Sequence, residues 1–224
     1  VYIRVLTDDM GILRELSDYF EFFVPGYKFM PAYKSKAWDG KVRLYNAMNK
    51  TLYAGLAKYV EVFANERAYT VEYDYDNSAE NFSVVEAKNF LKEQKFTLEP
   101  RDYQIEAFVD AVRNSRGLFL SPTASGKSFI IYMVLRWYLS PSLIIVPTTT
   151  LVHQMYSDFA DYGFKSEKYC HKIYAGQSKE TTKPIVITTW QSIYKQPKSW
   201  FDSFDVVIGD EAHLFKSKSL SNIM

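Results

Sequence analysis

Apolar positions in the first quarter of the chain switch between two periods. Val1, Ile3 and Val5 alternate with Tyr2, Arg4 and Leu6, a strand pattern open to burial on both faces. Asp8 or Asp9 then suits a helix N-cap. Behind it Ile12, Leu16, Tyr19, Phe20 and Phe23 form one inward stripe, which Pro25-Gly26 brings to a stop. Short strands joined by turns are expected next, with Asp39-Gly40 as a hairpin signal. A helix over 56–65, a strand over 69–73, a turn at Asp76-Asn77-Ser78 and a helix over 84–94 complete a small α/β unit. Beyond Pro100 the pattern becomes a regular alternation. β-rich runs fall at 117–121, 143–147, 185–189 and 206–209, with helical runs between them, including 129–139 and 151–162. Such alternation predicts parallel strands with right-handed crossovers and ligands at the carboxyl edge of the sheet. The expected fold class is therefore α/β: a parallel sheet flanked by helices over 96–224, preceded by a small α/β domain over 1–95, with the boundary near Lys95.

Composition changes this picture little. With 47% apolar and 24% charged residues in 224, the chain reads as globular and large enough to fold without staples. Cys170 is the only cysteine, which excludes an internal disulfide and a cysteine-based zinc site and fits a cytoplasmic setting. The apolar runs, such as 143–146, fall far short of the ~20 residues that span a bilayer.

Charge matters more for where it sits than for its net value of +1. Lys28, Lys34, Lys36, Lys41, Arg43, Lys50 and Lys58 face Asp39 alone between 28 and 58, and an acidic stretch follows from Glu61 to Glu86. Tyr27, Phe29, Tyr33, Trp38, Tyr45 and Tyr53 interleave with these cations. Two readings stay open: rings stacking on exposed bases while cations hold phosphates, or rings forming a small core beneath solvated lysines. On the first reading Lys34, Lys36, Lys41 and Arg43 hold duplex DNA, and Trp38 is the exposed stacker. Four phosphate contacts would make log affinity fall with log salt at a slope of about −3.6.

The residues that suggest chemistry lie further on. Ser121-Pro-Thr-Ala-Ser-Gly-Lys-Ser128 follows an apolar run and opens a helix, the context of a phosphate-binding loop, although Ser121 stands where the first glycine is usual. Backbone N–H groups of Thr123, Ser125 and Gly126 at a helix N-terminus suit phosphate oxygens. Lys127 would reach the β and γ phosphates, and Ser128 would offer its hydroxyl to Mg2+. Phe204-Asp-Val-Val-Ile-Gly-Asp-Glu-Ala-His213 ends an apolar strand in two adjacent carboxylates, an arrangement that asks for a compensating cation. There Asp210 would hold the metal shell, and Glu211 would orient and deprotonate an attacking water. Leu98-Glu-Pro-Arg-Asp-Tyr-Gln104 precedes a helix with Ile105, Phe108, Val109 and Val112 inward. Arg101 and Gln104 there are candidate nucleotide contacts, since a carboxamide both donates and accepts, as an adenine edge requires.

Five segments in this order, Gln104, Ser121–Ser128, Pro147-Thr-Thr-Thr-Leu-Val-His-Gln154, Thr188-Thr-Trp-Gln-Ser192 and Asp210-Glu-Ala-His213, resemble motifs Q, I, Ia, Ib and II of superfamily-two helicases. The resemblance implies a RecA-like motor domain, ATP and Mg2+ as cofactors, and Thr148, Gln154, Thr189 and Gln191 on the backbone of the tracked strand. It also implies that His213 couples the nucleotide site to that strand. Trp190-Gln191, Gln196-Pro-Lys-Ser-Trp200-Phe201 and Trp38-Asp-Gly-Lys-Val-Arg43-Leu44 are similar to UvsW-type recombination and repair helicases of T-even phages. That likeness implies branched DNA or RNA–DNA hybrids as substrates and, for a phage-encoded chain, the host cytoplasm. It implies as well a second RecA-like domain of the same polypeptide, which these residues do not include, so that this segment alone would hydrolyse ATP poorly. An RNA-directed helicase and a phosphate-loop kinase acting on a small metabolite remain as rival expectations. The kinase would leave the Thr188–Ser192 segment without a job.

Overall fold

A computed structural model describes residues 2–74, 81–114 and 116–214, the side chain of His213 excepted. The expected turn at Asp76-Asn77-Ser78 lies outside them. The chain divides into two compact units, 1–76 and 77–224.

In the first unit β1 (Tyr2–Arg4) leads into α1 (Met10–Tyr19). Asp9 caps this helix by accepting from Gly11 N at 2.7 Å and Ile12 N at 3.4 Å. Leu13, Leu16 and Phe20 then meet Tyr45, Leu52 and Phe63 in one small core. The helix ends at Tyr19, short of Pro25-Gly26, because Glu21–Phe23 is strand β2 rather than its last turn. β2 pairs antiparallel with β3 (Lys41–Arg43). A turn of 3-10 helix and α2 (Pro31–Lys34) lie between β2 and β3, so Asp39-Gly40 opens β3 instead of closing a two-residue hairpin. Gly40 adopts φ +84°, and a Cβ there would collide with the ring of Tyr27. β4 (Thr51–Tyr53) pairs with β1, and α3 (Ala57–Asn65) follows. The strand expected over 69–73 is not formed among the described residues.

The second unit begins earlier than Lys95. α4 (Val84–Glu93) starts with a reciprocal cap, Ser83 Oγ accepting from Glu86 N at 3.2 Å while Glu86 Oε2 accepts from Ser83 N at 2.7 Å. Its Ala87 and Leu91 pack with Phe108 of α5 (Asp102–Asn114) in the core of the second unit. Helix 84–94 was expected to complete the first unit; its apolar stripe is instead buried in the second, which moves the division to 76/77.

Then follow α6 (Lys127–Tyr138), β5 (Ser142–Val146), α7 (Thr149–Asp161), α8 (Ser166–Tyr169), β6 (Cys170–Ile173), β7 (Ile185–Thr189), α9 (Trp190–Ile193), α10 (Lys198–Phe201) and β8 (Val206–Gly209). All four strands are parallel, in the order β6-β7-β5-β8. β5 and β7 are buried along their whole length, which explains their unbroken apolar runs. Ile144 and Val146 face the large core with Phe108, Met133 and Phe159, while Leu143 and Ile145 face a smaller one with Val186 and Ile193. The run at 117–121 departs from expectation. No strand pairs with it among the described residues, and Leu118 and Leu120 are 77% and 93% exposed. Apolar composition proposes a strand, but only a partner's backbone can complete one. Among the described residues no helix is long and apolar enough to cross a membrane.

Candidate nucleotide and nucleic-acid sites

The loop before α6 turns on two left-handed residues, Ala124 at φ +64° and Gly126 at φ +78°. Within this turn the Ser125 N–H, expected to meet phosphate, donates to Pro122 O at 3.3 Å. A side chain at Gly126 would also have to displace a neighbour, since an added Cβ would stand 2.5 Å from Gln104 Nε2. Gln104 is buried, donates from Nε2 to Ser125 O at 3.0 Å and accepts at Oε1 from Arg101 N at 3.0 Å. The carboxamide expected at an adenine edge thus ties its own segment to the phosphate loop, and Tyr103 reinforces the tie with a 2.7 Å bond to the same carbonyl. The Arg101 guanidinium is exposed and meets the Tyr103 hydroxyl at 3.3 Å. Thr123 is exposed, while the Ser125 hydroxyl bonds that of Ser121, the residue in the unusual first position.

Lys127 and the acidic pair meet. β8 delivers Asp210, whose N–H bonds Ile145 O at 2.9 Å and so continues the parallel ladder. Glu211 then turns left-handed at φ +52°, an uncommon conformation for a residue with a side chain, and ion-pairs with the Lys127 ammonium. The Glu211 hydrogen bond raises the Lys127 pKa, so the amine stays charged. Burial raises the Asp210 pKa, only partly opposed by Lys127. A carboxylate held above its ordinary range beside a lysine gains from a further cation. Mg2+ is held through one or two carboxylates with waters and phosphate oxygens, and a phosphate-loop hydroxyl can join them; Asp210 and the Ser128 hydroxyl have the chemistry such a site asks for. Ser128 Oγ lies 2.7 Å from Tyr162 OH. His213 falls in the 3-10 turn Ala212–Leu214, with its side chain outside the description.

At the carboxyl ends of β5, β6 and β7 a cleft of about 730 Å³ opens. Thr148, Thr189 and Gln191 line it together. Thr148 caps α7 by accepting from Leu151 N at 3.3 Å, and its hydroxyl proton remains to donate. Thr189 Oγ1 pairs with Ser192 Oγ at 2.9 Å. Gln154 is exposed on α7 and does not line the cleft. The third wall, Ala175, Gly176, Gln177 and Lys179, was missed in the sequence. It follows β6, an edge strand whose central His171 and Lys172 interrupt the apolar signal. Ala175 and Gly176 are both left-handed, and a Trp200 Nε1 bond to Lys179 O pins the segment's far end.

In the first unit the basic patch is partly neutralised from outside the 28–58 window. Glu21 lies opposite Arg43 in the β2–β3 register and ion-pairs with both Lys41 and Arg43. Arg43 also pairs with Asp39. Trp38 is half-buried rather than fully exposed, its indole N–H bonded to Lys41 O at 2.8 Å. Lys34 and Lys36 are exposed. The rings divide between both open readings: Tyr45 is buried core, whereas Phe29 is 80% exposed.

Comparison with known proteins matches the two units to two families. Residues 97–224 fit the family described as Type III restriction enzyme, res subunit, and residues 1–74 fit DNA helicase UvsW, N-terminal. The ATP-dependent DNA helicase uvsW of Enterobacteria phage T4 is 36% identical over all of this chain and 47% of its own length. The DNA 3'-5' translocase XPB2 of Sulfurisphaera tokodaii is 26% identical over 91% of this chain and 41% of its own length. The chain spans about half the length of these curated relatives. A crystal structure of the UvsW helicase from Bacteriophage T4 matches with a TM-score of 0.85 at 34% identity, over 99% of this chain and 83% of that one.

Proposed function

We propose, since the chain belongs to the superfamily-two DNA helicases of the UvsW type, that it forms the first RecA-like motor domain and the accessory domain of an ATP-driven helicase acting on branched DNA. The carrying observation is the meeting of the Lys127 ammonium with Asp210 and Glu211 at the sheet edge. In this reading Lys127 binds the β and γ phosphates, the loop N–H groups cradle them, and Asp210 and Ser128 hold Mg2+. The metal would supply charge neutralisation as the γ-phosphoryl is transferred. Glu211 orients the attacking water and takes its proton, having exchanged the lysine for it. His213 couples this site to the strand. Arg101 and Gln104 frame the base side, with Gln104 setting the loop's shape. A second RecA-like domain of the same polypeptide completes the site; arginines supplied in this way contribute ~10³–10⁵ in rate in comparable enzymes.

The cleft supports DNA tracking. Thr148, Thr189 and Gln191 offer neutral hydrogen-bond groups to a sugar–phosphate backbone, with Gln154 further along α7 and Lys179 adding charge. A small-metabolite kinase would have no use for this wall. Lys34 and Lys36, with Lys41 once released from Glu21 and Arg43 once released from Glu21 and Asp39, would hold duplex, and Trp38 would brace them. RNA–DNA hybrid remains within this substrate class.

The test is ATP hydrolysis by the intact protein with single-stranded, duplex, forked and four-way DNA, RNA duplex and RNA–DNA hybrid. Forked and four-way DNA are expected to stimulate most. Indifference to every nucleic acid would sink the motor reading, and strongest stimulation by RNA duplex would redirect it to RNA. Glu211→Gln should leave ATP binding intact and lower turnover by roughly 10²–10⁴; undiminished hydrolysis would remove Glu211 as the base.

A further inference from the structure

One hydroxyl of the phosphate loop is held by a residue that the loop motif does not contain. Ser128 Oγ and Tyr162 OH are 2.7 Å apart, and either can donate. Tyr162 is the residue just past α7, its backbone N–H bonded to the carbonyls of Asp158 and Ala160. Its ring packs against Phe129 at 4.8 Å and Tyr132 at 5.5 Å, both on α6, the helix that also carries Ser128. The preceding residue is anchored too, since Thr97 Oγ1 donates to Asp161 O at 2.6 Å. The phenol oxygen is therefore delivered to Ser128 by packing.

We propose that Tyr162 is a positioning residue for metal-bound triphosphate: it fixes the Ser128 hydroxyl so that a lone pair faces the divalent cation. A serine hydroxyl has one proton and two lone pairs and rotates freely without a partner. With Ser128 donating, the phenol oxygen 2.7 Å away accepts its hydrogen bond and leaves the serine lone pairs in a set direction. Mg2+ demands near-ideal octahedral geometry, so the direction matters more to it than to a softer ion. Partners of this outer kind change metal affinity by roughly 10–100-fold. The inference rests on the phosphate-loop reading of Lys127 and Ser128, and it adds Tyr162, which lies outside all five motif segments.

Tyr162→Phe keeps the ring and removes only the hydroxyl. In the intact protein, Mg2+ would be titrated against binding of a fluorescent, non-hydrolysable ATP analogue, and the analogue's affinity measured again in excess EDTA. Apparent Mg2+ affinity is expected to fall about tenfold or more, with metal-free affinity and the unfolding midpoint unchanged. In a Ser128→Ala background the same substitution should add nothing, because the group it positions is gone. Unchanged Mg2+ affinity, equal weakening with and without metal, or a further loss in the Ser128→Ala background overturns the assignment of Tyr162. If the unsubstituted protein binds the analogue without regard to Mg2+, the phosphate-loop reading falls as well.

Discussion

Two clusters that set lysine or arginine beside a pair of carboxylates, one in each unit, behave in opposite ways. In the first unit Lys41 and Arg43 meet Glu21 and Asp39 on an open two-stranded ribbon. The Arg43 hydrogen bond lowers the Asp39 pKa, and both of these side chains are about half exposed. Such exposed pairs contribute little to stability; their effect is to mask positive charge. In the second unit Lys127 meets Glu211 beside Asp210 at the end of a buried sheet. There burial outweighs the lysine, and the Asp210 pKa rises. Similar residue types thus build a neutralised surface in one place and, in the other, a carboxylate with reason to accept a cation.

The largest expected effect separates loop strain from contact. Gly26 in the first unit and Gly126 in the second both sit at positive φ, but nothing lies within 4 Å of a Cβ at Gly26. Gly26→Ala should therefore cost only the left-handed penalty, about 1–2 kcal/mol. Gly126→Ala must also displace the Gln104 amide, so it should destabilise more and weaken nucleotide binding, read by chemical denaturation and nucleotide titration. Equal losses at both positions would mean that Gln104 does not hold the loop.

Salt dependence comes next. Replacing exposed Lys34 and Lys36 with Ala should flatten the log–log salt slope of DNA binding by about 1.8. Glu21→Gln should steepen it by up to about 0.9 for each cation released, and tighten binding at low salt. The slope of −3.6 expected from four unmasked cations then belongs only to a state in which Glu21 releases Lys41 and both Glu21 and Asp39 release Arg43. A Lys34/Lys36 variant with the original slope would remove the first unit from phosphate binding.

The smallest effect has opposite signs in the two clusters. Asp39, with its pKa lowered in the fold, contributes stability above its unfolded pKa and loses it as pH falls through the folded one. Asp210, with its pKa raised, opposes folding once ionised, so stability falls as pH rises from its unfolded pKa through the folded one. At neutral pH, Asp39→Asn should lower the unfolding midpoint slightly and Asp210→Asn should raise it. Shifts of the same sign in thermal melts would erase the distinction between the clusters.

Local pattern alone determined a large part of this protein. The Asp9 cap, the α5 stripe of Ile105, Phe108, Val109 and Val112, the buried runs of β5 and β7, and the order of the five motif segments depend on neighbours within a few residues or on linear spacing. Only the tertiary structure decided the rest, because it turns on groups far apart in the chain. Glu21–Phe23 becomes a strand because Lys41–Arg43 is there to pair with it, and the same pairing brings Glu21 onto a patch counted as nearly unopposed. Helix 84–93 joins the second unit because Ala87 and Leu91 are buried in the same core as Phe108, and β6 exists despite its polar centre because β7 completes its ladder. Gln104 against the loop and Tyr162 against Ser128 follow the same rule: periodicity shows which face a residue turns inward, and only the packed chain shows what it meets there.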